Sequence, residues 1–127
     1  MPVHNSDVAS IFNEMADLLE IEGANEYRVR AYRNAARTVA TVSRSVVDMV
    51  EQEEDLSELP DIGEDLAGKI EEIVRTGELR QLAEVHQRVP PALADMLDID
   101  GLGPKRVRTI YEELSITSLD ALERAAS

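Results

Sequence analysis

Two lysines stand among eleven arginines in this 127-residue chain, Lys69 and Lys105. A lysine amine that sheds its proton is a nucleophile, whereas an arginine stays charged and can only bind. Lys69 sits in the run EDLAGKIEE, with Glu64, Asp65, Glu71 and Glu72 close by. Those carboxylates favour the ammonium form and so oppose nucleophilicity at neutral pH. The alternative role for Lys69 is an ion pair with Asp65, one helical turn earlier. Lys105 sits in GLGPKRVR, beside Arg106 and Arg108, and no acid falls between Gly101 and Tyr111. A second basic island, Arg28, Arg30, Arg33, Arg37 and Arg44, lies between Tyr27 and Val47, again without an acid. Between Asp48 and Glu72 there are eleven acids and Lys69 as the single base.

These islands interrupt a strongly acidic background. The chain carries 26 Asp+Glu against 13 Lys+Arg, a formal charge of −13. Taken whole, that charge argues against a polyanionic partner; taken locally, it leaves two anion-binding patches. There is no Cys, and His4 and His86 are the only histidines. Thiol catalysis, disulfides, Cys-ligated zinc and His-rich metal sites are therefore excluded. No apolar run approaches the roughly 18 residues of a membrane span, and the first residues lack the pattern of a signal peptide. The expectation is a cytoplasmic, nucleoid-associated protein with no membrane partner.

Helical periodicity positions the charged residues. Val8, Ile11, Phe12, Met15, Leu18 and Leu19 recur at three and four, the spacing of one buried helix face. Asn5, Ser6 or Asp7 can cap that helix and Gly23 can end it. A second helix is predicted over 26–42, where Arg30, Arg33 and Arg37 share one face and Arg28 and Arg44 lie at the ends. Short helices are predicted over 45–54, 66–75, 79–88, 91–97, 104–114 and 118–125. No segment alternates as a strand does. Aromatics are 3% of the residues, so the core must be aliphatic. His86 reads as a surface or packing residue, and His4 as part of a disordered terminus.

The chain also repeats itself at an offset of forty residues. The segment from Leu59 through Gly63 aligns with that from Ile99 through Gly103. The register then holds through Ala67 with Val107, Ile70 with Ile110, Val74 with Leu114, Leu79 with Leu119 and Leu82 with Leu122. Each copy reads as a tight turn ending in Gly, then an amphipathic helix. Glycine in such a turn permits positive φ and leaves no Cβ in the way. The free N–H groups of the following helix can then receive a phosphate. This is the pattern of a helix-hairpin-helix, which binds nucleic-acid backbone through neutral donors and so tolerates an acidic protein. The second copy has Gly101, Gly103, Pro104 and three bases. The first has Asp61, Glu64 and Asp65 where phosphate would approach Ile62 and Gly63. The fold class is therefore all-α, a compact bundle of short helices with two helix-hairpin-helix motifs, one in residues 1–82 and one in 83–127.

The linked segments LLEIEGANEYRVRAYRNAARTV, LPDIGEDLAGKIEEIVRTGELRQL and VPPALADMLDIDGLGPKRVRTIYEELSITSLDAL resemble the N-terminal region of family X DNA polymerases. The bacterial and archaeal type that carries a PHP nuclease domain is the most similar. The resemblance runs from about Ile11 to Ala125. It implies a polymerase beta-like helical domain of lyase type, followed by a second hairpin. The metal-binding aspartates of the family's palm have no counterpart in this sequence, so the expectation is a fragment or free-standing relative that does not itself polymerise.

The resemblance implies a sequence-nonspecific grip on gapped or nicked DNA in gap-filling base excision repair, with the rest of a polymerase chain or repair proteins as partners. From the hairpins and the basic islands, DNA contacts are expected on Gly101, Gly103, Lys105, Arg106 and Arg108, on Ile62 and Gly63, and on Arg28, Arg30, Tyr32, Arg33 and Arg37. Tyr32 matches a residue of the family's 5′-phosphate pocket and Arg28 matches a basic one. Tyr27, Ser57, Asp65 and Gln81 replace basic residues, and Gly68 replaces an acidic helper. The alternative activity is a deoxyribose-phosphate lyase acting through a Lys69 Schiff base. A Na or K ion is implied on the backbone carbonyls of Ser57, Leu59 and Ile62, and on those of Leu97, Ile99 and Leu102. A third reading has the acidic Asp48–Glu72 face binding a basic protein, with DNA binding lost.

Overall fold

The computed structural model describes residues 3–89, 103–110 and 112–113. Helix α1 (Asn5–Glu22) is followed by α2 (Glu26–Thr41), α3 (Val46–Glu51), a single 3₁₀ turn (Leu56–Glu58), α4 (Glu64–Thr76) and α5 (Arg80–Arg88). Residues 104–110 are helical and are called α6. There is no strand among the described residues. The helices expected over 91–97 and 118–125 lie outside them.

The N-cap of α1 falls one residue before the first of its expected caps. His4 is the N-cap, and Asp7 closes the turn by accepting the His4 N–H at 2.8 Å. His4 is therefore ordered, contrary to the sequence reading, because the capping box recruits it. Asn5 reaches sideways instead. Its Nδ2 donates to the Arg44 carbonyl at 2.8 Å, and its Oδ1 accepts the Val46 N–H at 2.9 Å. That pair ties the start of α3 to the start of α1.

The other end of α1 is closed by Gly23, at φ +79. Gly23 N–H donates to the Glu20 carbonyl and Ala24 N–H to the Leu19 carbonyl, the paired bonds of a Schellman turn. The chain reverses there, Asn25 caps α2 by accepting the Tyr27 N–H at 2.7 Å, and α2 returns along α1.

The core lies between these two helices. Val8, Phe12, Met15, Leu18, Leu19 and Ile21 of α1 are buried against Val29, Tyr32, Ala35, Ala36 and Val39 of α2. Phe12 and Tyr32 meet edge to face at 5.8 Å and 66°, a contact that adds about 1 kcal/mol to the area they bury. Ile70 and Ile73 of α4, Val85 of α5 and Val107 of α6 join the same apolar cluster. Two side-chain pairs fasten α5 to α1: His86 Nε2 lies 2.7 Å from Glu14 Oε1, and Arg88 Nε donates to Glu22 at 2.8 Å. Among the described residues no helix is long and apolar enough to cross a membrane.

Candidate nucleic-acid interface

The two copies of the repeat end in the same local structure. Gly63 is the N-cap of α4, and its carbonyl accepts the Ala67 N–H at 2.9 Å. Forty residues on, the Gly103 carbonyl accepts the Val107 N–H at 3.1 Å. Ile62, before the first glycine, is buried. It anchors the turn, and its N–H donates to the Leu59 carbonyl at 3.2 Å. Its side chain is thus a core anchor.

The backbone conformation differs from expectation. Gly63 has φ −86 and ψ −177, which any residue can adopt. The positive φ in this turn belongs to Asp61, at +63. Aspartate tolerates that region better than most side chains, so this turn forms with Asp61 where the sequence of the second copy has Gly101. What Gly63 contributes is open space. A Cβ built on Gly63 or on Gly103 meets nothing within 4 Å, and no side chain caps the first N–H groups of α4. Those donors point outward with the positive end of the helix dipole. Gly101, Leu97, Ile99 and Leu102 of the second turn lie outside the described residues. In the first turn Ser57 belongs to the 3₁₀ turn and Leu59 caps it.

Beside the first turn lies a cleft of about 470 Å³ lined by Arg28, Tyr32, Gly63, Asp65, Lys69 and Gln81 among others. Of the residues that the family resemblance groups as a phosphate pocket, the structure brings Arg28, Tyr32, Asp65 and Gln81 together here, and leaves out Ser57 and the exposed Tyr27. Tyr32 is 97% removed from solvent, at 3% exposure. Its hydroxyl lies 3.5 Å from Gln81 Oε1. The Lys69 side chain is 15% exposed, its stem buried, and its Nζ donates to Asp65 Oδ2 at 2.7 Å. The ion pair foreseen for Lys69 is formed. Gly68 and Ser57 face a different groove, which they line with Glu54, Asp55, Glu64 and Glu71.

Helix α2 does not present its arginines as one patch. Arg28 opens on the Lys69 cleft. Arg30 and Arg33 line a second cleft of about 590 Å³, together with Lys105, Arg108, Thr109, Glu20, Glu26 and Glu112. The separation follows from helix geometry, since Arg28 and Arg30 are two residues apart and diverge by about 200°. Arg37 is exposed one turn beyond Arg33.

Arg33 is turned inward. Its Nη2 donates to Asp17 Oδ1 and to Glu20 Oε2, both at 2.9 Å. Burial opposes its charge, but the hydrogen bonds to Glu20 and Asp17 outweigh burial and hold the guanidinium above its usual pKa. Burial raises the Asp17 carboxyl above the usual carboxylate range, and Arg33 only partly counters that. Arg33 therefore joins α1 to α2, in contrast to the exposed phosphate contact expected from its spacing. Arg30 and Lys105 form no ion pair with another described residue. Among the described residues no group of three His, Asp or Glu side chains could hold a metal ion.

A helix-hairpin-helix domain model matches residues 3–79, and a SAM-like helix-hairpin-helix tandem matches residues 93–127. Over 123 residues the chain is 28% identical to the DNA polymerase/3′-5′ exonuclease PolX of Bacillus subtilis (strain 168). The match covers 97% of this chain and 21% of that relative, in the N-terminal part of a family X polymerase. The chain thus spans about a fifth of the relative's length.

Proposed function

Because the chain belongs to the helix-hairpin-helix domain family, we propose that it grips the DNA backbone without reading sequence, as a binding module of a family X polymerase in gap-filling repair. One observation carries this reading. At Gly63 and again at Gly103 a helix starts on an N-cap glycine with open space in front of it. Basic side chains flank both starts: Arg28 and Lys69 at the first, Lys105 with Arg30 at the second.

Backbone N–H donors hold a phosphate without a net positive protein, which reconciles the proposal with a charge of −13. The first cleft suits a terminal 5′-phosphate at a gap or nick, since Arg28, Tyr32 and Lys69 line it beside the open start of α4. The second suits a phosphodiester of a continuing strand. Carbonyl oxygens of Ser57, Leu59 and Ile62 are hard donors suited to Na or K, which would bridge the first turn to a phosphate.

The test is titration of gapped, nicked and single-stranded DNA at two salt concentrations. Tighter binding to gapped DNA and a steep salt dependence are expected. Joint replacement Lys105→Glu and Arg106→Glu should abolish binding through the second turn; unchanged affinity would overturn its role.

One observation favours a second activity at the same place. Lys69 is the amine that reaches the cleft shared by Tyr32 and Arg28. Once deprotonated, it would add to the aldehyde carbon of an incised abasic sugar and expel water to form an imine. Loss of the adjacent C2 proton then breaks the C3–oxygen bond and releases the phosphorylated strand. Borohydride should trap a covalent adduct that Lys69→Ala abolishes; no adduct, or one that survives the substitution, rejects the lyase.

A further inference from the structure

We infer that Arg108 is a positioning residue, which latches the helix of the second hairpin onto the C-terminal end of α1 and so fixes the spacing between the two phosphate-binding turns. The argument starts from an electrostatic defect in α1. A helix C-terminus carries partial negative charge and favours cations. The last turn of α1 holds Glu20 and Glu22 and has no basic residue. Other elements supply the missing cations. Arg33 of α2 bonds Glu20, and Arg88 of α5 bonds Glu22. Arg108 of α6 reaches the backbone at the helix end itself.

The contact there is close. A Cβ on Gly23 would meet Arg108 Nη2 at 2.9 Å, Cζ at 3.1 Å and Nε at 3.2 Å. Three guanidinium atoms at nearly equal distance mean that the planar group occupies the space a side chain would fill. Glycine at this C-cap therefore serves two needs, the φ of +79 and the seat for Arg108. Glu112, four residues on, accepts Arg108 Nε at 3.1 Å and steadies it. The neighbouring Val107 is fully buried in the shared core, so apolar docking and the polar latch act one residue apart. The sequence reading made Arg108 a DNA contact like Lys105. Its position against Gly23 makes it the joint between two contacts.

The consequence for DNA rests on the binding reading above, but the latch can be judged without DNA. The chain has no Cys, so Glu51→Cys and Glu113→Cys place two spin labels uniquely, one on each hairpin unit. A narrow interlabel distance distribution is expected, broadened by Arg108→Ala and left narrow by Lys105→Ala. A distribution that Arg108→Ala leaves unchanged overturns the latch. With DNA, Arg108→Ala should weaken a long gapped substrate about tenfold, by loss of effective concentration. It should leave a short duplex that engages one turn unaffected and the salt slope intact. Equal loss on both substrates with a slope reduced by about 0.9 would make Arg108 a direct phosphate contact and overturn the proposal. If the unmodified chain binds neither DNA at low salt, the binding reading fails while the label experiment still decides the latch.

Discussion

Lys69 donates to Asp65 across one turn of α4 at 2.7 Å, and both side chains line the cleft that receives Arg28 and Tyr32. Asp65 is 84% exposed, so it stands at the rim as a carboxylate facing any incoming phosphate. Two charges about 4 Å apart in water interact by about 1 kcal/mol. Asp65→Asn is therefore expected to tighten binding of a 5′-phosphorylated gapped DNA by about fivefold. The gain should vanish when the 5′-phosphate is removed from the same oligonucleotide.

Arg33 tests the division between scaffold and contact. Its guanidinium is shared by Asp17 and Glu20 at the α1–α2 interface. Arg33→Ala is expected to lower stability by about 1 kcal/mol, or roughly 4 °C in thermal midpoint, given its 36% exposure. The salt slope of DNA binding should not change. Arg30→Ala should do the reverse, with an unchanged midpoint and a slope reduced by about 0.9.

That contrast also marks how far the sequence could be read. Spacing at three and four places Arg30, Arg33 and Arg37 on one stripe, and the structure keeps them there. It cannot say which guanidinium finds a carboxylate on another helix, because Asp17 and Glu20 belong to α1 and meet Arg33 only after α1 and α2 pack. The repeat is legible because its register depends on local backbone and on core positions three and four apart. Ile62, Ile70 and Val107 are buried as that register requires. The seat of Arg108 on Gly23 was hidden for the opposite reason. It joins residues 85 positions apart, through the conformation of a helix end that the chain builds for its own reversal.

Acid should loosen the segment leading into the first hairpin. Hydrogen bonds from Arg44 hold the Glu54 carboxyl below its usual pKa, and hydrogen bonds from Ser57 do the same for Asp55. A carboxyl depressed in the folded state stabilises it above the unfolded pKa, and that contribution is lost as pH falls through the folded value. Carboxyl carbon shifts followed by NMR should show Glu54 titrating below an ordinary glutamate. In Arg44→Ala it should return to the ordinary range, while Asp55 stays low.

The cap position of α4 opposes stability to function. Gly63 sits at φ −86 and ψ −177 with nothing in front of it, a backbone that suits a capping serine. In Gly63→Ser the hydroxyl oxygen would accept an N–H from the first turn of α4 and fill a position that no side chain now caps. Serine exceeds glycine there by a few tenths of a kcal/mol, so the melting midpoint should rise slightly. The same hydroxyl occupies the donors that a phosphate would use, and its Cβ stands in the approach. Affinity for gapped DNA should therefore fall even as the protein becomes more stable. Gly103→Ser should act likewise at the second turn. A serine variant that binds as well as the original would mean that the first N–H groups of these helices are not the phosphate donors.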